Sequence, residues 1–268
     1  MIISDTKRFV FIHIPKCAGT AVRRIFSEWD ETEGAFSVSR IAHPVLGVVD
    51  SAHLPLFVLR EHFPEAFHKV EAYSAFALVR DPFERFRSAF SQHVNMHGKK
   101  RLETMSQMEV RRKLEEVITF LSDSRDSGAA LPIHYVHFQR QADFVYVQGR
   151  RVVENLFPVA RVPDFLRAVS DQTGWDVTKA TPSLGGKANE CRVYRNAMYQ
   201  VAGEWLRSGV RAVGSGDRFL RLRAMGRKAL MVPRDKRLGL VLGSCAVRDF
   251  VEDYYQADVA LYRLAEQE

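Results

Sequence analysis

A chain of 268 residues, 46% hydrophobic and 26% charged, can bury a sizeable core without disulfides or a structural metal. Its formal net charge of +7 points to an anionic partner: a phosphate-bearing cofactor, an acidic glycan, nucleic acid or a membrane surface. A basic surface with no partner fits the charge equally well. The three cysteines, Cys17, Cys191 and Cys245, are too far apart for a metal motif or a disulfide framework, which favours a reducing compartment.

Residues 1–7 read as polar, and the apolar run after them is short and lacks a cleavage site. No later run is long and apolar enough to cross a bilayer, so the expectation is a cytoplasmic protein without a transmembrane segment. Residues 9–14 are β-branched and aromatic and predict a buried strand. Pro15 and Lys16 follow, then Cys17, Ala18, Gly19 and Thr20. From there apolar residues fall at Val22, Ile25, Phe26 and Trp29, which is helical spacing. The small residues thus sit between a strand and a helix N-terminus, where unspent N–H groups and the helix dipole favour an anion. Lys16 adds a charge there and Thr20 a hydroxyl.

Residues 36–60 lack a regular period and contain Pro44 and Pro55. They read as an excursion from the sheet that returns through a short helix over 56–62. Residues 73–79 predict a central strand running into Arg80-Asp81-Pro82-Phe83-Glu84-Arg85-Phe86-Arg87-Ser88. Asp81 predicts an N-cap, Pro82 the first helical position and Glu84 a capping box. Phe83, Phe86, Phe90 and Val94 predict a core stripe on that helix. This second junction offers Arg80, Arg85 and Ser88 to a terminal phosphate.

Residues 105–122 predict an amphipathic helix, 142–147 a strand and 148–149 a turn, and 155–159 is another short apolar run. Residues 163–173 predict a helix stopped by Gly174. Lys187 follows two glycines in a turn-rich stretch. Residues 193–240 are rich in arginine and resist parsing, and one helix over 246–265 ends the chain. Strand–helix alternation predicts an α/β fold: P-loop-like and three-layered, with a central, mainly parallel sheet flanked by helices. A single domain over 1–268 is expected, with 193–240 as a divergent basic segment. Ligands in such sheets bind beyond the C-terminal strand ends, where both basic junctions lie.

The first junction is not a Walker A sequence, because its lysine precedes the small residues. No acid follows Val79 to hold Mg²⁺. A nucleotide kinase or NTPase is therefore the second reading. A nucleic-acid-binding protein using the basic segment is the third, with no RNA-binding signature or helix-turn-helix pattern behind it.

Together, Ile14-Pro15-Lys16-Cys17-Ala18-Gly19-Thr20 and the segment from Val79 to Ser88 resemble two motifs of one family. They are similar to the 5′-phosphosulfate and 3′-phosphate motifs of sulfotransferases that use 3′-phosphoadenosine 5′-phosphosulfate. Ser51-Ala52-His53-Leu54-Pro55-Leu56, the segment from His137 to Phe144, and Tyr254-Tyr255-Gln256-Ala257-Asp258 resemble segments of the carbohydrate branch. That branch includes heparan sulfate 2-O-sulfotransferase and soluble bacterial relatives. Arg140 stands where the branch usually has proline, and Ser51 where some members have a further histidine.

The resemblance implies metal-independent, in-line transfer of a sulfuryl group to a hydroxyl, less often an amine. The implied acceptor is a glycan, a glycolipid or a small hydroxylated metabolite, anionic ones included, and not nucleic acid. Lys16 and His53 are the implied catalytic pair, with Lys16 on the bridging oxygen and His53 as general base. Lys16, Cys17, Ala18, Gly19, Thr20 and Ala21 would hold the 5′-phosphate, Arg80 and Ser88 the 3′-phosphate, and Lys187 would cover the nucleotide. His137 and Gln141 fall on the substrate side. His13 reads as a strand residue with a structural partner. Cys17 gains thiolate character from a helix N-terminus but is given no catalytic role.

Overall fold

The computed structural model describes residues 1–38, 40–98, 100–176, 192–194, 231–233, 239 and 241–268. Its central sheet has four strands: β1 (Ile2–Ser4), β2 (Phe9–Ile12), β5 (Ser74–Val79) and β8 (Asn155–Pro158), in the spatial order β1-β2-β5-β8. β2 pairs in parallel with β5, and β5 with β8, while β1 is an antiparallel edge. The parallel strands are almost wholly buried, as the apolar run 9–14 requires. β1 corrects the reading of 1–7 as polar. Met1, Ile2 and Ile3 are buried, and three apolar residues are too few to show a period.

Among the described residues there are eight α-helices. α1 (Gly19–Ile25) follows β2, and a hairpin of β3 (Ile41–His43) and β4 (Gly47–Val49) follows α1. α2 (Leu56–His62) and α3 (Pro64–Ala72) return the chain to β5. α4 (Pro82–His97) leaves β5, and α5 (Gln107–Asp123) packs beside it. β6 (Tyr146–Val147) and β7 (Arg150–Arg151) form a small hairpin. α6 (Val162–Thr173) follows β8 and ends at Gly174, whose φ of 69° suits a left-handed cap. β9 (Arg192–Tyr194) pairs with β10 (Met231–Pro233), and α7 (Cys245–Tyr254) and α8 (Gln256–Gln267) close the chain. No helix of the described residues is long and apolar enough to cross a membrane.

Two cores result. On one face of the sheet, Phe9 and Phe11 meet Phe26, Trp29 and Phe165, so α1 and α6 cover that face. Leu261 and Ala265 of α8 join the same core. The second core is helical. Phe86, Phe90 and Val94 of α4 pack with Val117 and Leu121 of α5 and with Val247 and Val251 of α7. The predicted stripe on α4 therefore faces other helices, and Phe83 stands at its edge.

Three local expectations differ from the structure. Asp81 does cap α4, accepting from the Glu84 N–H at 2.8 Å. The Glu84 carboxylate, however, pairs with Arg80 and Arg87 rather than closing the box. The strand expected over 142–147 is a 3₁₀ turn (Gln141–Phe144) followed by two strand residues, because a buried carboxylate captures the first N–H groups of that turn. The last helix is two helices. Tyr255 leaves helical geometry (φ −105°, ψ 29°), and its hydroxyl donates to the Phe138 carbonyl at 2.8 Å. The break sets Asp258 in the first turn of α8.

Candidate active site

The two basic junctions emerge side by side from the C-terminal ends of β2 and β5, which are paired strands. In the first, Lys16 (φ 68°) and Ala18 (φ 60°) are both left-handed without being glycine. Such residues each store on the order of 1–3 kcal/mol and persist only where the surroundings hold them. Ala21 and Val22 both donate to the Ala18 carbonyl, at 3.0 and 3.4 Å. The N–H groups of Ala18, Gly19 and Thr20 donate to no group of the described residues. The loop thus offers a short arc of main-chain donors beside Lys16.

Gly19 is needed for a steric reason. A Cβ there would lie 1.8 Å from Cδ2 of His13, whose ring crosses the start of α1. His13 is buried, and its Nδ1 has no hydrogen-bond partner among the described residues. Burial, then the neighbouring His53, holds its proton affinity well below the ordinary histidine range. His53 ends the 3₁₀ turn Ser51–His53, which Asp50 caps by accepting from the Ala52 N–H. The His53 ring packs edge-on against His13 with centroids 4.3 Å apart. Its Nδ1 lies 3.0 Å from the His13 carbonyl. A carbonyl only accepts, so Nδ1 carries the proton and Nε2 keeps its lone pair. Burial lowers the His53 pKa to about 3.

His137 stands 5.7 Å from His53, ring to ring, and its pKa is lowered to about 4 by burial and then by Lys16. Between His137 and Lys16 lies Gln92 of α4. Its Oε1 accepts from the Lys16 ammonium, and its Nε2 is 3.1 Å from His137 Nε2. Three histidines and the lysine therefore occupy one end of the sheet. Among the described residues no group of three or more His, Cys, Asp or Glu is arranged to hold a metal ion.

Arg80 opens the second junction, half-buried, with Nη1 3.5 Å from the Lys16 carbonyl. Ser88, two turns into α4, is half-buried, and its hydroxyl makes no hydrogen bond among the described residues. Gln141 does not stand on an acceptor side. It is fully enclosed, and its amide bolts the junctions together. Its Oε1 accepts from the Arg80 N–H at 2.9 Å and from the Cys17 thiol at 3.2 Å, while its Nε2 donates to the Arg80 carbonyl at 2.9 Å.

Arg85 is likewise removed from the phosphate side. It has no exposed surface, pairs with Asp258 of α8 at 3.3 Å, and donates to the His137 carbonyl at 3.2 Å. Asp258 also accepts from the N–H groups of Gln141 and Ala142, both at 2.9 Å. Burial pushes its carboxyl up, against the pull of Arg85 and of those two N–H groups. Cys17 corrects the expectation of a reactive thiol, since burial pushes its pKa up to about 12. Lys187 and most of 193–240 lie outside the described residues.

Gln92 is the residue that sequence reasoning missed. The signal available was its place one helical turn beyond Ser88, on a helix whose start was already singled out.

A family model described as "Sulfotransferase family" matches residues 1–151, more than half of the chain. No curated protein and no solved structure matches the chain. The matched stretch contains both junctions, His53, Gln92, His137 and Gln141. The chain belongs to the sulfotransferase family.

Proposed function

We propose that the chain transfers a sulfuryl group from 3′-phosphoadenosine 5′-phosphosulfate to a hydroxyl of a carbohydrate, a glycolipid or a small hydroxylated metabolite. The observation that carries this reading is the apposition of the two junctions, with Arg80 against the Lys16 carbonyl and Gln141 bonded to both. That donor set suits a nucleotide with two separate anionic groups. The first loop's N–H groups, unspent among the described residues, and Lys16 fit the 5′ anion, and Arg80 with the Ser88 hydroxyl fits the 3′-phosphate. In this use the first junction is a P-loop-like anion turn. When bound, the nucleotide supplies an activated sulfuryl group and leaves as a phosphate anion.

Lys16 holds positive charge where the leaving oxygen gains negative charge, a stabilisation of the oxyanion-hole type. Gln141 and Arg80 keep the two anion sites at a fixed separation, which aligns acceptor and leaving group. His53 takes the acceptor proton on Nε2, the nitrogen left open by its bond to the His13 carbonyl. Its low proton affinity of about 3 belongs to the protein without an anion. Negative charge held at the neighbouring loop raises that affinity toward the range of a working base.

Binding tests the reading directly. Adenosine 3′,5′-bisphosphate in the presence of a chelator should raise the melting temperature. The gain is about 2.7 kcal/mol of stability at a hundred times the dissociation constant. ATP with Mg²⁺ and an oligonucleotide serve as the other arms. A shift with either of those and none with the bisphosphate would overturn the proposal. His53→Ala should keep bisphosphate binding and lose turnover; full turnover would remove His53 from the base role.

A further inference from the structure

Gln92 connects two side chains from different parts of the fold, and the sense of both contacts can be worked out. An ammonium only donates, so the amide oxygen of Gln92 must face Lys16. The amide nitrogen then faces His137 Nε2 at 3.1 Å, and an NH₂ group only donates. His137 Nε2 must therefore present a lone pair. A neutral His137 carries its proton on Nδ1, and protonation at Nε2 would set N–H against N–H.

We propose that Gln92 is a positioning residue that holds the Lys16 ammonium with one end of its amide and locks His137 in the neutral Nδ1–H form with the other. Proton transfer at this end of the cleft then falls to His53, which shares the Nδ1–H tautomer but whose Nε2 lone pair is engaged by no group of the described residues. The lock is a property of the protein alone. Its catalytic consequence rests on the sulfuryl-transfer reading above.

The groups facing His137 agree with the lock. They are Lys16 from the first junction, His53 from the 3₁₀ turn, and Arg85, His93 and His97 from α4. None is an acid, so none favours an imidazolium. Gln92→Glu would supply the missing anion at hydrogen-bond distance and should raise the proton affinity of His137 about a hundredfold.

The test is nitrogen-detected histidine NMR on the protein without nucleotide, with the His137 resonance assigned by its loss in His137→Gln. Wild type should show Nδ1–H and a bare Nε2, with no titration near pH 6. Gln92→Glu should show an imidazolium there. Gln92→Leu should lower kcat on the order of tenfold to a hundredfold while leaving affinity for adenosine 3′,5′-bisphosphate nearly unchanged. An Nε2–H tautomer in wild type overturns the inference, as does a Gln92→Glu protein whose His137 titrates like the parent. The wild-type spectrum decides the tautomer even if a variant does not fold. Absence of bisphosphate binding would remove the proposed function and leave the tautomer to be decided by that spectrum.

Discussion

Asp258→Asn is the most informative perturbation of the scaffold. Asp258 is fully buried and accepts three hydrogen bonds, from the Arg85 guanidinium at 3.3 Å and from the N–H groups of Gln141 and Ala142 at 2.9 Å each. An asparagine has one oxygen to offer. With that oxygen at the Oδ2 position it keeps Arg85 and the Gln141 N–H and turns an NH₂ toward the Ala142 N–H; at the Oδ1 position it keeps Ala142 and turns the NH₂ toward the other two. An unsatisfied buried N–H costs about 1–3 kcal/mol. Arg85, with no exposed surface, is left as a buried charge with no opposing one, and breaking such a pair costs about 3–5 kcal/mol. The bond to the His137 carbonyl and the Tyr255 ring, 5.0 Å from the guanidinium carbon, remain to soften the loss. The expected destabilisation is about 3–5 kcal/mol, or about 10 °C in Tm. Urea unfolding followed by circular dichroism measures it, with a constant slope confirming that stability and not compactness has changed. Adding Arg85→Met to Asp258→Asn should cost at least about 1.5 kcal/mol less than the sum of the single variants. A single variant within about 1 kcal/mol of the parent, or strict additivity, would refute the argument that the pair is a lock.

Three further outcomes follow from the same geometry. Gly19→Ala drives a Cβ to 1.8 Å from His13 and should cost about 1–3 kcal/mol of stability, recovered in the double variant with His13→Ala; an unchanged urea midpoint for the single variant would count against the close contact. His13, His53 and His137 have folded proton affinities below the unfolded value near 6.5, so the unfolded chain binds more protons below that pH and stability falls on acidification. The three together lose about 4 kcal/mol between pH 8 and 5.5, and Asp50, raised to about 6 by burial, runs the other way and offsets about 1 kcal/mol; a flat or rising urea midpoint over that range would contradict the neutral cluster. Iodoacetamide at pH 8 should label the exposed Cys245 and spare the buried Cys17 in the native state, as read by mass spectrometry; rapid native labelling of Cys17 would show that its thiol is not sealed.

The parallel strands and the starts of α1 and α4 were legible because each rests on a local signal. The run 9–14 is continuous, and Asp81-Pro82 carries its own cap. Both junctions were singled out because small and basic residues follow two strands, and His53 only through the family resemblance. What was not legible depends on pairs far apart in sequence. Arg85 reads as a surface cation until Asp258, 173 residues later, is placed beside it. Gln141 reads as a cleft residue until its amide is seen to match both main-chain groups of Arg80. The break at Tyr255 has no glycine or proline to announce it, since a hydroxyl bond to Phe138 imposes it. The capping box at Glu84 failed for an electrostatic reason, because two arginines compete for the same carboxylate. A complete box formed instead at Ser106 and Glu109, where Lys100 engages only one carboxylate oxygen and leaves the other for the Ser106 N–H.

The histidine cluster and the buried arginine have a common consequence. With His13, His53 and His137 neutral, positive charge at this end of the sheet is carried by Lys16 and by the guanidiniums of Arg80 and Arg85. Arg85 is matched by Asp258 inside the protein, so its field is largely cancelled close to its source. Arg80 is partly matched by Glu84, but at 3.7 Å and with both groups open to solvent, where such pairs are weak. Lys16 donates to the amide oxygen of Gln92, which orients the ammonium. Charged imidazoles would have spread the same attraction over five side chains and repelled one another. Neutral ones fill the space with low-dielectric rings, which strengthens the field of the lysine along the direction in which it is held. Under the sulfuryl-transfer reading proposed above, that field acts on the negative charge that would develop on a departing phosphate.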